Sequence, residues 1–168
     1  MDNQRIKQTK KTKLTDFNLE EIRGWMIQRM NDIETKIDFI ICDYFEPTKN
    51  REFKKIMLNS SIITIGGKMK ILRNIKTFDN KIIVKIGDLS RIRNAFAHLP
   101  IVEHIFVSVS HDENGEFKSS KISKITSNIE VMNSEGVLKT KNANILISEF
   151  SQWNKEIREY LLNFNKSS

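Results

Sequence analysis

The run Arg91-Ile92-Arg93-Asn94-Ala95-Phe96-Ala97-His98 sets two guanidinium groups, an amide and an imidazole close together in the chain. Nowhere else are reactive groups so concentrated. An imidazole titrates near neutral pH, so it can take up and give back a proton within one reaction. A guanidinium is planar and permanently charged, which suits it to bracing oxygens where negative charge builds up on a phosphate. At about 100° per residue of helix, Asp88, Arg91, Asn94, Ala95 and His98 fall on one side, with Asn94 and His98 one turn apart. Arg93 falls elsewhere, among Ile82, Ile86, Leu89 and Phe96 on the apolar stripe, where an unpaired guanidinium is costly. Two explanations for Arg93 stand side by side. Either it pairs with an acid such as Asp32, Asp38 or Asp43 inside the fold, or it faces a subunit interface where a phosphate approaches. The structural alternative for the whole run is that His98 bonds a terminal helix carbonyl and Arg93 is an ion-pair partner.

These groups need a helix to hold them, and the chain offers several. Asn18 with Glu21 reads as a helix cap and its capping-box partner, and acidic Glu20 and Glu21 suit the positive end of the dipole. Leu19, Ile22, Met26, Met30, Ile33, Ile37, Ile40 and Tyr44 then recur at steps of three and four until Glu46-Pro47. A second helical stretch runs from about Asn50 through Leu58, Ile62, Ile65, Met69 and Leu72, interrupted by Gly66-Gly67, read as a hinge or as a place of close packing. After Thr77-Phe78-Asp79-Asn80 the third helix carries Ile82, Ile86, Leu89 and Phe96. It ends near His98, because Pro100 disfavours helical geometry at Leu99.

Past that point the period changes. Ile105, Val107 and Val109 alternate with His104, Phe106, Ser108 and Ser110, and Asn114-Gly115 is a tight-turn signal with Phe117 to Ile122 as the returning strand. Ile129, Val131 and Val137 to Thr140, around Asn133-Ser134-Glu135-Gly136, predict a second, shorter hairpin. Leu146, Phe150, Trp153, Ile157, Leu161 and Phe164 return to helical spacing. The expected fold is therefore mainly α: a four-helix up-and-down bundle with a small antiparallel β-hairpin insertion between helices three and four. In domain terms, residues 1–17 form a flexible basic arm and 18–166 a single domain, with the β insertion at about 102–141.

Composition narrows the function classes. A chain of 168 residues, 39% hydrophobic and 29% charged, fits one globular domain. No apolar run approaches the ~20 residues of a membrane span, and the basic N-terminus has no apolar core of a secretory signal, so no membrane and a cytoplasmic location are expected. Cys42 is the single cysteine, expected as a small buried hydrophobe, which excludes an internal disulfide and a thiolate zinc cluster. His98, His104 and His111 lack carboxylates at ligand spacing, so no metal site and no cofactor are expected. A net charge of +7 favours polyanionic partners, although Lys exceeds Arg 20 to 8 as an AT-rich coding sequence alone would produce. Asp112 to Glu116 reads as a solvated hairpin tip, and Gly66-Gly67-Lys68 lacks the rest of a phosphate-binding loop. Trp25 and Trp153 read as core or interface residues, and Phe106 beside His104 as the better candidate for stacking on a base.

Arg93, Asn94 and, after three small or aromatic residues, His98, flanked by Ile92, Phe96 and Leu99, resemble the Arg-Asn-x-x-x-His motif of the HEPN superfamily of helical domains. The resemblance covers roughly residues 18–100 and 143–166 and leaves the β segment outside. It implies a metal-independent endoribonuclease in which the RNA 2′-OH attacks the neighbouring phosphate, leaving a cyclic phosphate and a free 5′-OH. His98 would act as general base or acid, Arg93 would brace the nonbridging oxygens, and Asn94 would orient His98 or a phosphate oxygen. Arg91 would contribute to binding the RNA backbone. The resemblance further implies a homodimer that joins two motifs across a shared cleft, and a toxin-antitoxin or phage-defence setting with an antitoxin or other partner protein. The rival expectation is a noncatalytic HEPN-like interaction or regulatory module that binds a protein or nucleic acid. A DNA-binding regulator is the least supported, because no helix-turn-helix stands out.

Overall fold

A computed structural model describes residues 19–111, 117–133 and 135–164. The basic arm, the Asn18 cap and the acidic tip at 112–116 lie outside the described residues, as do the side chains of His104, Phe106 and His111. Helix α1 (Leu19–Phe45) buries Met26, Met30, Ile33, Ile37 and Ile40 of the stripe that its spacing predicts, with Leu19 and Ile22 half-buried and Tyr44 exposed. It stops where Glu46 takes a positive φ of 43° ahead of Pro47, a residue that disfavours helix at the position before it. Cys42 is buried near its end.

Next come a single turn, α2 (Asn50–Glu52), and a π-helical turn, Phe53–Met57, closed by the Leu58 N–H on the Phe53 carbonyl at 3.1 Å. Helix α3 (Ile65–Leu72) starts afresh at Thr64, whose hydroxyl accepts from the Gly67 N–H at 3.4 Å. A Cβ at Gly67 would stand 2.9 Å from the Ile63 side chain, so a glycine is needed for the chain to fold back over its own first turn. Helix α4 (Asn80–His98) is capped by Asp79, which accepts from the Lys81 N–H at 2.7 Å. Replacing Asp79 by alanine is expected to cost about 1 kcal/mol, read as a lowered urea midpoint. Its backbone N–H would still bond the Tyr160 hydroxyl, so an unchanged midpoint would show that this second contact alone anchors the helix start.

Strands β1 (Val102–His111), β2 (Phe117–Met132) and β3 (Leu138–Asn142) form one antiparallel sheet in the order β1-β2-β3. Asn128 pairs with Val102 on one side and Asn142 on the other. Asn133 Oδ1 closes the β2–β3 turn by accepting from the Glu135 and Val137 N–H groups, with Gly136 at φ 79°. Asn142 Oδ1 accepts from the Asn144 and Ile145 N–H groups and so starts α5 (Ala143–Phe164).

Helices α1, α4 and α5 enclose the core. Trp25 packs on Phe150 and Arg23 bonds the Phe96 carbonyl at one end, while Phe78 meets Tyr160 and Phe164 at the other. Helices α1 and α5 therefore run parallel, and α4 runs against both. Ile129 and Val131 of β2 are buried on this core. Ile105, Val107, Val109 and Ile122, farther along the β1–β2 hairpin, are exposed. Lys68, only 1% exposed, ties α3 to α1 by reaching Glu34 at 2.8 Å and Asp38 at 2.7 Å. Burial pushes the Asp38 carboxyl above its ordinary range, and Lys68 pulls it partly back.

The expectation of a four-helix up-and-down bundle with a hairpin between helices three and four is corrected on two counts. The second helical stretch is broken over 58–64, which gives five α-helices among the described residues and places the strands after the fourth. Its apolar steps continue in register across a segment whose backbone is nonhelical, so periodicity alone joins what Thr64 starts anew. The two expected hairpins are one three-stranded sheet, because β2 is continuous through Ser123 to Asn128 and pairs first with β1 and then with β3.

Candidate active site

The motif occupies the last turns of α4. His98 is the final helical residue, and Leu99 is already extended at φ −106°, ψ 146°, as Pro100 dictates. His98 and Asn94 are exposed. Arg91 is half-buried and ion-paired with Asp88 one turn back. Asp88, Arg91, Asn94 and His98 thus share the side of the helix that their spacing predicts, and Arg91 is partly committed within the chain rather than open to a substrate.

Arg93 is set apart. It is half-buried, and its Nε is covered without a hydrogen-bond partner. None of the acids offered by the sequence pairs with it: Asp32 meets Arg29, Asp38 meets Lys68, and Asp43 is exposed beside a different cavity near Pro47. Among the described residues Arg93 has no acidic partner, and none of the three acids offered by the sequence supplies the internal ion pair. At about 100° per residue, Arg93 and His98 stand roughly 140° apart around the helix. One chain therefore brings Arg91, Asn94 and His98 to a common face but leaves Arg93 on another.

One contributor was not singled out in the sequence. Arg23 of α1 donates its Nε to the Phe96 carbonyl at 2.7 Å, which places a cation against the negative end of α4. No local spacing links positions 23 and 96, so only the antiparallel packing of α1 and α4 shows it. Arg23 adds a third arginine to Arg91 and Arg93 along the last turns of this helix, which ends at His98, with Arg93 on a different side of it from Arg91 and His98. A site of that composition favours an anion with several oxygens, and the exposed imidazole adds a group that can move a proton.

Among the described residues no cluster of three His, Cys, Asp or Glu side chains is placed to hold a metal ion, and no helix is long and apolar enough to cross a membrane. Comparison with protein-family models, with curated proteins and with solved structures found no match.

Proposed function

We propose that this chain is a metal-independent endoribonuclease of HEPN type, with His98 and Arg93 as its catalytic pair. The observation that carries the reading is the state of Arg93: a half-buried guanidinium with no acid beside it among the described residues, held five residues before an exposed imidazole. A structural arginine in an apolar stripe is normally paired, because a covered, uncompensated cation is costly. A phosphate would supply the missing charge.

In the proposed reaction the RNA 2′-OH gives up its proton and attacks the adjacent phosphorus. The new P–O2′ bond forms as the P–O5′ bond breaks, and a second proton goes to the departing 5′ oxygen. His98 serves as base or acid at these two proton positions, Asn94 orients it or a phosphate oxygen, and Arg93 stabilises the charge gathering on the nonbridging oxygens. Because Arg93 and His98 diverge within one chain, the active form is a homodimer in which the two α4 ends meet, so that one copy's arginine faces the other's imidazole. Arg91, released in part from Asp88, binds the RNA backbone. The toxin or defence setting, with an antitoxin as partner, follows from the same resemblance.

The test is incubation of labelled structured RNA and tRNA with the protein in EDTA, with product ends identified. Cyclic phosphate and 5′-OH termini are expected; 3′-OH and 5′-phosphate ends would exclude this chemistry. A second reading, a noncatalytic interaction module, is favoured by the exposed apolar row Ile105, Val107, Val109 and Ile122 on the β1–β2 hairpin. Nucleic-acid affinity without any cleavage would favour it.

A further inference from the structure

Strand β2 runs back along α4. Val131 and Met132 line a cleft with Asp88 and Ile92, whereas Asn128 and Ile129 line another with Leu99 and Pro100, just past the helix end. Followed toward Phe117, the strand therefore leaves α4 behind. β3 pairs only with Asn128 to Met132, so beyond that point β1 and β2 continue as a two-stranded arm. At about 3.3 Å per residue, β1 from Val102 to His111 carries the arm about 30 Å.

The side of the arm that faces the helices is apolar and uncovered. Residues two apart on a strand share a face, so Ser127, Ile129 and Val131, all buried, mark the helix side of β2. Ser127 is paired with Glu103, and directly opposed residues of an antiparallel pair point the same way. The helix side of β1 therefore continues through Ile105, Val107 and Val109. A bulge between Phe106 and Val107 sets Ile122 opposite Val107 and adds it to the row. Each of these four keeps more than half of its surface in water. A two-stranded ribbon is marginal by itself, and an apolar row along one side of it is a surface to be covered.

We propose that this arm clasps a second copy of the chain, with Ile105, Val107, Val109 and Ile122 packed on the partner's helices. Direction and area both select that occupant. Where two α4 ends meet about a two-fold axis, the partner's helices fill the space past the end of α4, on the side that the row faces. That choice rests on the ribonuclease reading, which brings two α4 ends together; the direction and apolarity of the arm do not. A ribbon about 30 Å long and about 10 Å wide offers about 300 Å² of this face. Symmetry uses it twice: two arms, each covering an equal area of the other copy, bury about 1,200 Å², where interfaces of standard size begin. A single arm laid on an unrelated protein buries about half as much, less than a specific complex needs. The arm is rooted at Val102, four residues past His98, so a clasp that holds the arm also fixes the two motifs relative to each other.

The experiment is the sedimentation-equilibrium mass of the full chain at micromolar concentrations, with helical content checked in every variant. The wild type is expected at twice the 19.7 kDa of one chain. Val107→Glu is expected to weaken the dimer at least about a hundredfold, because the charge enters the interface once from each copy. Val107→Thr keeps the branched shape and should weaken it about tenfold, which carries the test if the glutamate variant loses helical content. Ser108→Glu, exposed on the opposite face of the same strand, is expected to dimerise as the wild type does. A monomeric wild type, a dimer that both Val107 variants leave intact, or equal weakening by Ser108→Glu would overturn the inference. His98→Ala separates the two proposals, since it is expected to remain a dimer. A dimer that Val107→Glu breaks in a protein that never cuts RNA, or whose monomer still cuts it, would uphold the arm and remove the shared-cleft nuclease. RNA cleavage by a dimer that is indifferent to Val107→Glu would do the reverse.

Discussion

Arg93→Ala is expected to lower the rate of RNA cleavage by about a hundred- to a thousandfold, the scale on which removing one donor to a developing oxyanion acts. The same substitution is expected to leave the fold nearly as stable as before. That pairing of outcomes follows from the geometry. If Arg93 were a structural cation, its removal would strand an acid, yet among the described residues no acid faces it. Arg93→Lys should recover only a small part of the rate, because an ammonium cannot present the planar fork that meets two phosphate oxygens. A variant that loses activity and stability in proportion would show instead that Arg93 serves the core.

Lys68→Met provides the opposite case and the largest expected loss of stability, about 3–5 kcal/mol. The lysine is 1% exposed and is the shared partner of Glu34 and Asp38, so a methionine of similar reach would fill the space but leave two half-buried carboxylates facing each other. In a domain whose total stability is about 5–15 kcal/mol, such a loss is read directly from urea unfolding. The deficit should depend on pH. In the wild type the Asp38 carboxyl already sits above its ordinary range, so its contribution to stability is complete below the unfolded value near 3.9 and is lost as pH rises through the raised folded value. Without Lys68 the upward shift grows, so Lys68→Met should be most impaired near neutrality and should recover part of the difference as acid protonates the pair. A loss below about 1 kcal/mol at neutral pH would mean that desolvation of the three charges already cancels their attraction.

These two side chains also show where sequence reasoning succeeds and where it stops. The angular position of Arg93 in the apolar stripe, the common face of Arg91, Asn94 and His98, and the end of α4 at His98 all follow from local rules: helical periodicity and the restriction that Pro100 places on Leu99. What Arg93 meets in that stripe does not follow. Asp38 is an eligible partner by position, and only the fold shows that Lys68, from a helix whose start is set by Thr64, takes it first. The break over 58–64 escaped the periodic pattern because Leu58, Ile62 and Ile65 keep helical steps while the backbone between them does not. Ser123 to Asn128 reads as a gap between hairpins for a related reason. Those residues are polar apart from Ile125 and show no sustained alternation, but pairing with neighbouring strands holds them extended all the same. The Arg23 contact with Phe96 and the course of the β1–β2 arm past the end of α4 are tertiary facts that no spacing encodes.

If the end of α4 cuts RNA without a metal, cleavage persists when every divalent ion is removed. The direct measurement is cleavage of end-labelled tRNA and structured RNA in EDTA by the wild type beside His98→Ala, with helical content recorded for both. His98 is exposed and ends its helix, so its replacement should not disturb the fold. Cleavage by the wild type to 2′,3′-cyclic phosphate ends is expected, with a loss of about a hundredfold or more in the variant at equal helicity. Equal cleavage by the two proteins, or cleavage that EDTA abolishes, would contradict the ribonuclease reading.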